Sequence, residues 1–421
     1  MHDMDAVYTD EYRKGYWDRR YPDSIDPELE RAGKFKNPGE DDVTVHVPEF
    51  LTHLDDRLIA AELNRRYKVA PGTEKLPRMA MFKAQVWRRL LGESLSAFHR
   101  RLLDGPFEAI DLGFRYEKRT NTVICPSYQA LWHFGNVRFD VEELDALLGL
   151  LARENARLGR GLGLEIGKRT ATDATPIETC RDDPTGKWNG HYKRKMVKLA
   201  LTQDVGTWLP LDWKVIGGTE SEGAHLVEML GKAMERVSPG AMDETFIDGG
   251  FTSNENLAKV AVLLGLRARY KISEGWVGNV RFPRDGPEAG ARSPMEEVER
   301  LYEERWKEGW YRPGASLGYK MECLVRAGEY DAVAMHFRNA YIAMHEEAPA
   351  EALDEYHTRN NIEGENGHLK VHYALESGLN VVGERAITRH LLWTMIAAHV
   401  VAMVRLQHDV KSNLLSTTHI L

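Results

Sequence analysis

Only three cysteines occur in 421 residues, Cys125, Cys180 and Cys323, and none stands in C-x-x-C spacing. That scarcity excludes a disulfide framework and a cysteine-built structural zinc site, and it fits a reducing compartment, expected to be the cytoplasm. No secretory leader is legible, because the opening MHDMDAVYTDEYRKGYWDRR is densely charged and lacks an apolar run. Long uninterrupted hydrophobic stretches are missing as well. The nearest approach, Ala386 to Leu406, carries Arg389, His390, His399 and Arg405, so a buried amphipathic helix is expected there and no membrane association. Positive charge is in deficit: 56 Lys+Arg against 64 Asp+Glu leave a net −8. A polyanion binder that is basic all over is thereby disfavoured, while a local basic face stays open. Neither an internal repeat nor a low-complexity tract occurs.

What is present is a core-forming composition, 43% hydrophobic and 29% charged, over a length that suits two or three folded units. Residues 1–45 are polar and aperiodic and read as an arm. Residues 46–163 carry apolar residues at helical spacing through Pro48–Tyr67, Arg78–Leu91, Leu95–Leu103 and Val141–Leu158, with breakers at Pro71-Gly72 and Gly105-Pro106. After the glycine-rich Gly159–Gly163 the texture becomes strand-like: Lys168–Ile177, Met196–Asp204 and Leu209–Ile216, the last two joined by a turn at Gly206. A helix over Glu220–Val237, a strand over Glu244–Asp248, a helix over Ser253–Leu264 and a strand over Arg267–Ile272 follow. The fold class is α/β, a mixed sheet flanked by helices, and the order of elements matches the ribonuclease H-like fold. That unit is expected over 164–275 and 331–421. Residues 276–330, rich in Gly, Pro and charge, read as an insertion with weak pattern.

The chemistry concentrates in three acidic segments. TDATPIE sets Asp173 at or near the end of a strand, and FIDGGFTSNENL sets Asp248 at the end of a short apolar one, before Gly249-Gly250 turns the chain into a helix. The third, DEYHTRNNIEGENGHLK, holds Tyr356, Arg359, Glu363 and Lys370. At about 100° per residue these four polar groups fall within roughly 60° on one helix face, while Ile362 and Leu369 lie about 100° away, where they can anchor the helix. Glu365 points away from Tyr356, so Glu363 is the better candidate acid. Taken singly, Asp248 reads equally as a turn or helix-capping residue, and Arg359–Glu363 as an ordinary i,i+4 pair.

Together the segments resemble the insertion-sequence DDE transposases that carry a Tyr-x2-Arg-x3-Glu-x6-Lys signature. Tyr356, Arg359, Glu363 and Lys370 match at every spacing; Asp248–Phe251 resembles the second block with Phe251 where Tyr is commoner, and TDATPIE resembles the first. The match spans Lys168–Ile272 and Ala332–Tyr373, whereas the helices of 46–163 are only broadly similar to the family's DNA-binding and dimerisation region. The resemblance implies Asp173, Asp248 and Glu363 as catalytic acids holding two Mg²⁺, with Mn²⁺ as substitute, Asp173 bridging both ions. Such a site needs hard oxygen ligands and no Cys/His cluster. It implies water attack at the element end followed by 3′-hydroxyl attack on target DNA. The partners implied are double-stranded DNA, as terminal inverted repeats and target, and a second copy in the DNA complex, in a nucleoid-associated cytoplasmic setting.

Lys370 and Arg359 would hold DNA phosphates near the metals, and Tyr356 would hydrogen-bond one. The run GKWNGHYKRKMVKLA adds Lys193, Arg194 and Lys195 as further DNA contacts, unless it is simply a solvated strand edge. In RWKEGWYR, Trp306, Trp310 and Tyr311 alternate with cations and suit either base stacking or a small local core. His133, His225, His390 and His399 read as packed or surface histidines, and Asp182 and Asp183 as loop residues. Two other readings remain in play: a ribonuclease H-like nuclease or resolvase that cuts without joining, and a transposase-derived protein that only binds DNA.

Overall fold

A computed structural model describes residues 47–66, 76–117, 120, 122–180, 183–190, 192–238, 240–270, 292–305, 312, 314–347, 369–370, 373, 375 and 382–416. Helices come first: α1 (Val47–Thr52), α2 (Arg57–Arg66), α3 (Arg78–Leu91), α4 (Leu95–Asp104), α5 (Pro106–Asp111), α6 (Tyr128–Asn136) and α7 (Val141–Gly161). A small antiparallel pair, β1 (Tyr116–Glu117) and β2 (Thr122–Val123), interrupts them. The single helix expected over Pro48–Tyr67 is two, because the chain breaks at His53–Asp56, where the Asp55 carboxylate accepts from the Arg57 backbone N–H and guanidinium. Local capping sets the other boundaries. Gly92 closes α3 at φ 64, Ser94 caps α4, Pro106 occupies the first turn of α5, and Asp140 with Glu143 forms a reciprocal capping box on α7.

The main sheet is mixed. β3 (Arg169–Glu178) pairs antiparallel with β5 (Arg194–Asp204), and β5 pairs antiparallel with both β4 (Lys187–Asn189) and β6 (Pro210–Gly217). On the other side β3 pairs parallel with β7 (Glu244–Ile247), and β7 parallel with β8 (Arg267–Arg269). The turn between β5 and β6 depends less on Gly206 than expected: Trp208 takes the left-handed backbone at φ 62, and buried Asp204 caps the turn by accepting from the Thr207 amide and hydroxyl.

Helices cover the sheet. α8 (Leu226–Val237), preceded by a 3-10 turn at Glu222–His225, sets Met229 against Ala200 and Ile216 on one face. On the other, Ile177, Val197, Leu199 and Leu201 join the large core that includes α13 (Glu384–Gln407). α13 corrects the amphipathic expectation. By length and composition it could cross a membrane, yet 89% of its apolar window is buried inside the fold, including His390, His399 and Arg405. A helix apolar nearly all round is a central core helix. It packs on α7 and α3, with Trp393 among Phe82, Phe134 and Phe139 and its indole N–H donating to the Gly135 carbonyl.

α9 (Asn254–Val262) follows β7, α11 (Leu317–Arg326) and α12 (Asp331–Glu347) pack beside it, and α10 (Pro294–Glu304) packs on those two. α10 and α11 correct the weak-pattern reading of 276–330. α10 has a full capping box on Ser293 and Glu296, and α11 is capped by Ser316. Gly, Pro and charge mask these helices in sequence because the helices are short and bury narrow stripes.

Candidate active site

Two of the three expected acids are described, and the sheet brings them together. The parallel register of β3 and β7 starts with Arg169 opposite Glu244 and runs to Thr172 opposite Ile247. One step further stand Asp173 and Asp248. Neighbouring strands lie about 4.8 Å apart, and in-register residues of parallel strands leave the same face, so both half-buried carboxylates project from one patch. A charge clamp fixes this register four residues upstream. Glu244, 5% exposed, accepts from Arg169 Nε at 2.8 Å, directly opposite it on β3, and from Arg269 Nε at 3.1 Å, two residues further along β8, so it links all three strands.

Asp173 therefore sits in the middle of β3, not at its end; what ends beside it is β7. Asp248 follows β7 in extended backbone, φ −80 and ψ 165, and its carbonyl accepts from Phe251 to start a 3-10 turn. The chain turns toward a helix at Gly249-Gly250, as expected, through a 3-10 turn over Gly249–Phe251 and without a positive φ at either glycine. Close approach is the better account, because a Cβ on Gly223 would meet the Gly250 carbonyl at 3.0 Å and one on Gly250 would meet Glu222 Oε2 at 3.2 Å. Phe251 is fully buried, which suits an apolar ring better than a tyrosine hydroxyl and pins the turn bearing Asp248 to the core.

Because β7 stops at Ile247, no strand among the described residues pairs the edge of β3 from Asp173 onward. Lys370 reaches that edge: its Nζ donates to the Pro176 carbonyl at 2.9 Å. Its neighbour Leu369 is fully buried, as expected of an anchoring position, and Tyr373 is buried with its hydroxyl donating to the Leu415 carbonyl. Tyr356, Arg359, Ile362 and Glu363 lie outside the described residues, as do Trp306, Trp310 and Tyr311. Among the described residues no group of three or more His, Cys, Asp or Glu gathers. Asp173 and Asp248 are both carboxylates, whose oxygens are hard donors.

The basic run forms the β4–β5 hairpin. Lys193 lies exposed at its turn with φ 52, Arg194 pairs with Glu178 at 3.1 Å, and Lys195 donates to the Asp183 carbonyl at 3.3 Å. Two of the three expected DNA contacts thus also hold the hairpin to the protein. Asp183 lies in a loop, as expected, and is fully buried there, its Oδ1 accepting from the amides of Thr185 and Gly383. The sequence signal for it was weak, since Pro184 and Gly186 look like any surface loop. His390 contacts Arg89 in the core, and His225 pairs with Glu220 near the surface.

No protein-family model matches the chain, and a search of curated proteins returns no match.

Proposed function

We propose that this chain is a DNA transposase of ribonuclease H-like fold, with Asp173, Asp248 and Glu363 as its catalytic acids. One observation carries the reading: the parallel register sets Asp173 and Asp248 side by side where β7 ends. Three antiparallel strands followed by two parallel ones, alternating with helices, support the fold assignment. Lys370 supports the third acid. On the helix that the signature spacing predicts, Glu363 precedes Lys370 by about 10.5 Å, and the β3 residues from Asp173 to Pro176 span about 10 Å. A helix laid along β3 with Lys370 at Pro176 would carry Glu363 to the level of Asp173.

In this reading the three carboxylates would hold two Mg²⁺, whose chemistry when bound is to activate an oxygen nucleophile and neutralise phosphoryl charge. The chain's own residues do the rest. The sheet register preorganises two ligands before DNA arrives, so little reorganisation is left for the chemical step. Lys370, a cation with three donors, orients a DNA phosphate while keeping its hold on Pro176. Arg359 and Tyr356 extend that contact along the signature, and Lys193, Arg194 and Lys195 grip the backbone further out. Partners are duplex DNA, at element ends and target, and a second copy when two ends are paired.

The test uses a plasmid carrying the gene with its own flanking DNA, incubated with purified protein and Mg²⁺, and strand transfer from a pre-cleaved end. Wild type is expected to cut at the element ends and join them to target. Asp173→Asn, Asp248→Asn and Glu363→Gln are each expected to fall to the EDTA background while still binding DNA. Undiminished cleavage by Glu363→Gln would remove the third acid from the site, and cutting without joining would favour a nuclease.

A further inference from the structure

Trp188 is the most exposed large apolar side chain among the described residues, at 62%, and Tyr192 is 44% exposed on the same hairpin. Both belong to a hairpin held by side-chain hydrogen bonds. Asn189 Oδ1 accepts from the Tyr192 amide at 3.2 Å, and Asn189 Nδ2 donates to the Gly218 carbonyl at 2.9 Å. Gly218 approaches so closely that a Cβ there would lie 2.4 Å from the Met196 carbonyl. The aromatics are therefore held out into solvent by a hairpin tied down at its base.

Their position relative to the carboxylates follows from the ladder. Trp188 pairs with Lys195, and Asp173 pairs with Leu201. Alternation along β5 puts Lys195, Val197, Leu199 and Leu201 on one face, so Trp188 stands on the face of Asp173. Thr179 of the chain after β3 is level with Lys195, its amide donating to the Lys195 carbonyl. The separation along the strands is about 20 Å, the rise of about six base pairs. Lys370 at Pro176 lies between.

Charge selects the occupant. From Gly186 to Lys198 the chain has five Lys and Arg and no Asp or Glu, against a whole-chain net of −8. Neighbouring carboxylates engage Arg194 and Lys198, whereas Lys187 and Lys193 are exposed without an ion pair among the described residues. Arg194 sits 5.9 Å from the Tyr192 ring. Exposed ring faces flanked by cations fit nucleobases joined by phosphates, and a duplex hides its base faces in its own stack.

We propose that the β4–β5 hairpin is a stacking clamp for an unpaired DNA stretch, with Trp188 and Tyr192 on bases and Lys187 and Lys193 on the flanking phosphates. The proposal rests on the transposase reading and adds that the enzyme handles strand-separated DNA about 20 Å along the strands from Asp173. The test measures, by fluorescence anisotropy with the full chain at fixed salt, affinity for a blunt duplex and for the same duplex with a six-nucleotide single-stranded tail. Wild type is expected to prefer the tailed duplex by about 5- to 100-fold. Trp188→Ala is expected to lose that preference while holding blunt-duplex affinity within about twofold, and Trp188→Phe to keep most of it. No preference in wild type, a preference unchanged in Trp188→Ala, or equal loss on both duplexes with an unaltered circular dichroism spectrum overturns the proposal. Cleavage separates the two ideas: a chain that cuts but shows no tail preference loses only this clamp. A chain that holds tails through Trp188 and never cuts loses only the transposase reading.

Discussion

Acidifying the protein from pH 7.5 to 4.5 should cost about 2.5 kcal/mol through one side chain, His399 on α13. The imidazole is fully buried, its Nε2–H donating to the Pro210 carbonyl at 2.7 Å while Nδ1 lies 3.0 Å from the amide nitrogen of Asn155. Both ring nitrogens are satisfied in the neutral form, and a proton on Nδ1 would face another donor. Burial drives the pKa down from 6.5 to about 4; the Pro210 bond opposes this and the Arg236 charge adds to it. Between those limits the unfolded chain takes up a proton that the folded chain refuses. Stability from this group is therefore complete above pH 6.5 and is lost as the pH falls toward 4. At about 1.36 kcal/mol per pH unit the ceiling is about 3.4 kcal/mol, of which about 2.5 kcal/mol is spent by pH 4.5. Urea unfolding of wild type and His399→Gln at both pH values isolates it, since carboxylate titration cancels in the comparison. Wild type is expected to lose about 2.5 kcal/mol more than the variant on acidification. Equal losses, or a His399 ring that titrates near 6.5 by NMR, would refute the reasoning.

Two further variants probe the site through its supports. Glu244→Ala leaves the nearly buried Arg269 without its carboxylate and should destabilise by about 3 kcal/mol or more in urea unfolding. In the proposed function Mg²⁺-dependent cleavage should fall with it, because the clamp that holds β3 against β7 is four residues from the Asp173–Asp248 pair. Lys370→Ala strands the Pro176 carbonyl at a cost of about 1–2 kcal/mol. Activity should drop without vanishing, and the salt slope of DNA binding should shrink by about one.

Much of the scaffold was legible because local physics writes it. α3 runs from Arg78 to Leu91 as its periodicity predicts, and β3, β5 and β6 fall within about two residues of their expected spans. The errors have a common origin. The burial expected of α13 held, but its amphipathic character did not, because a helix surrounded by protein needs no polar face; His399 and Arg405 are core groups with private partners. α10 and α11 were lost in Gly, Pro and charge although their Ser caps were present in the sequence. Asp183 was read correctly as a loop residue, but its burial was not legible, because nothing local reveals an amide 200 residues away.

Residue types and spacing on their own named the candidate acids and the basic run, since the chemistry of a carboxylate or a lysine travels with the side chain. Which candidate acids stand at adjacent strand positions was decided by strand pairing: register is a relation between segments 75 residues apart, Arg169 lying opposite Glu244 and bonded to it. The exposure of Trp188 is of the same kind, because an indole in a short strand is core or surface according to what packs over it, and here nothing among the described residues does.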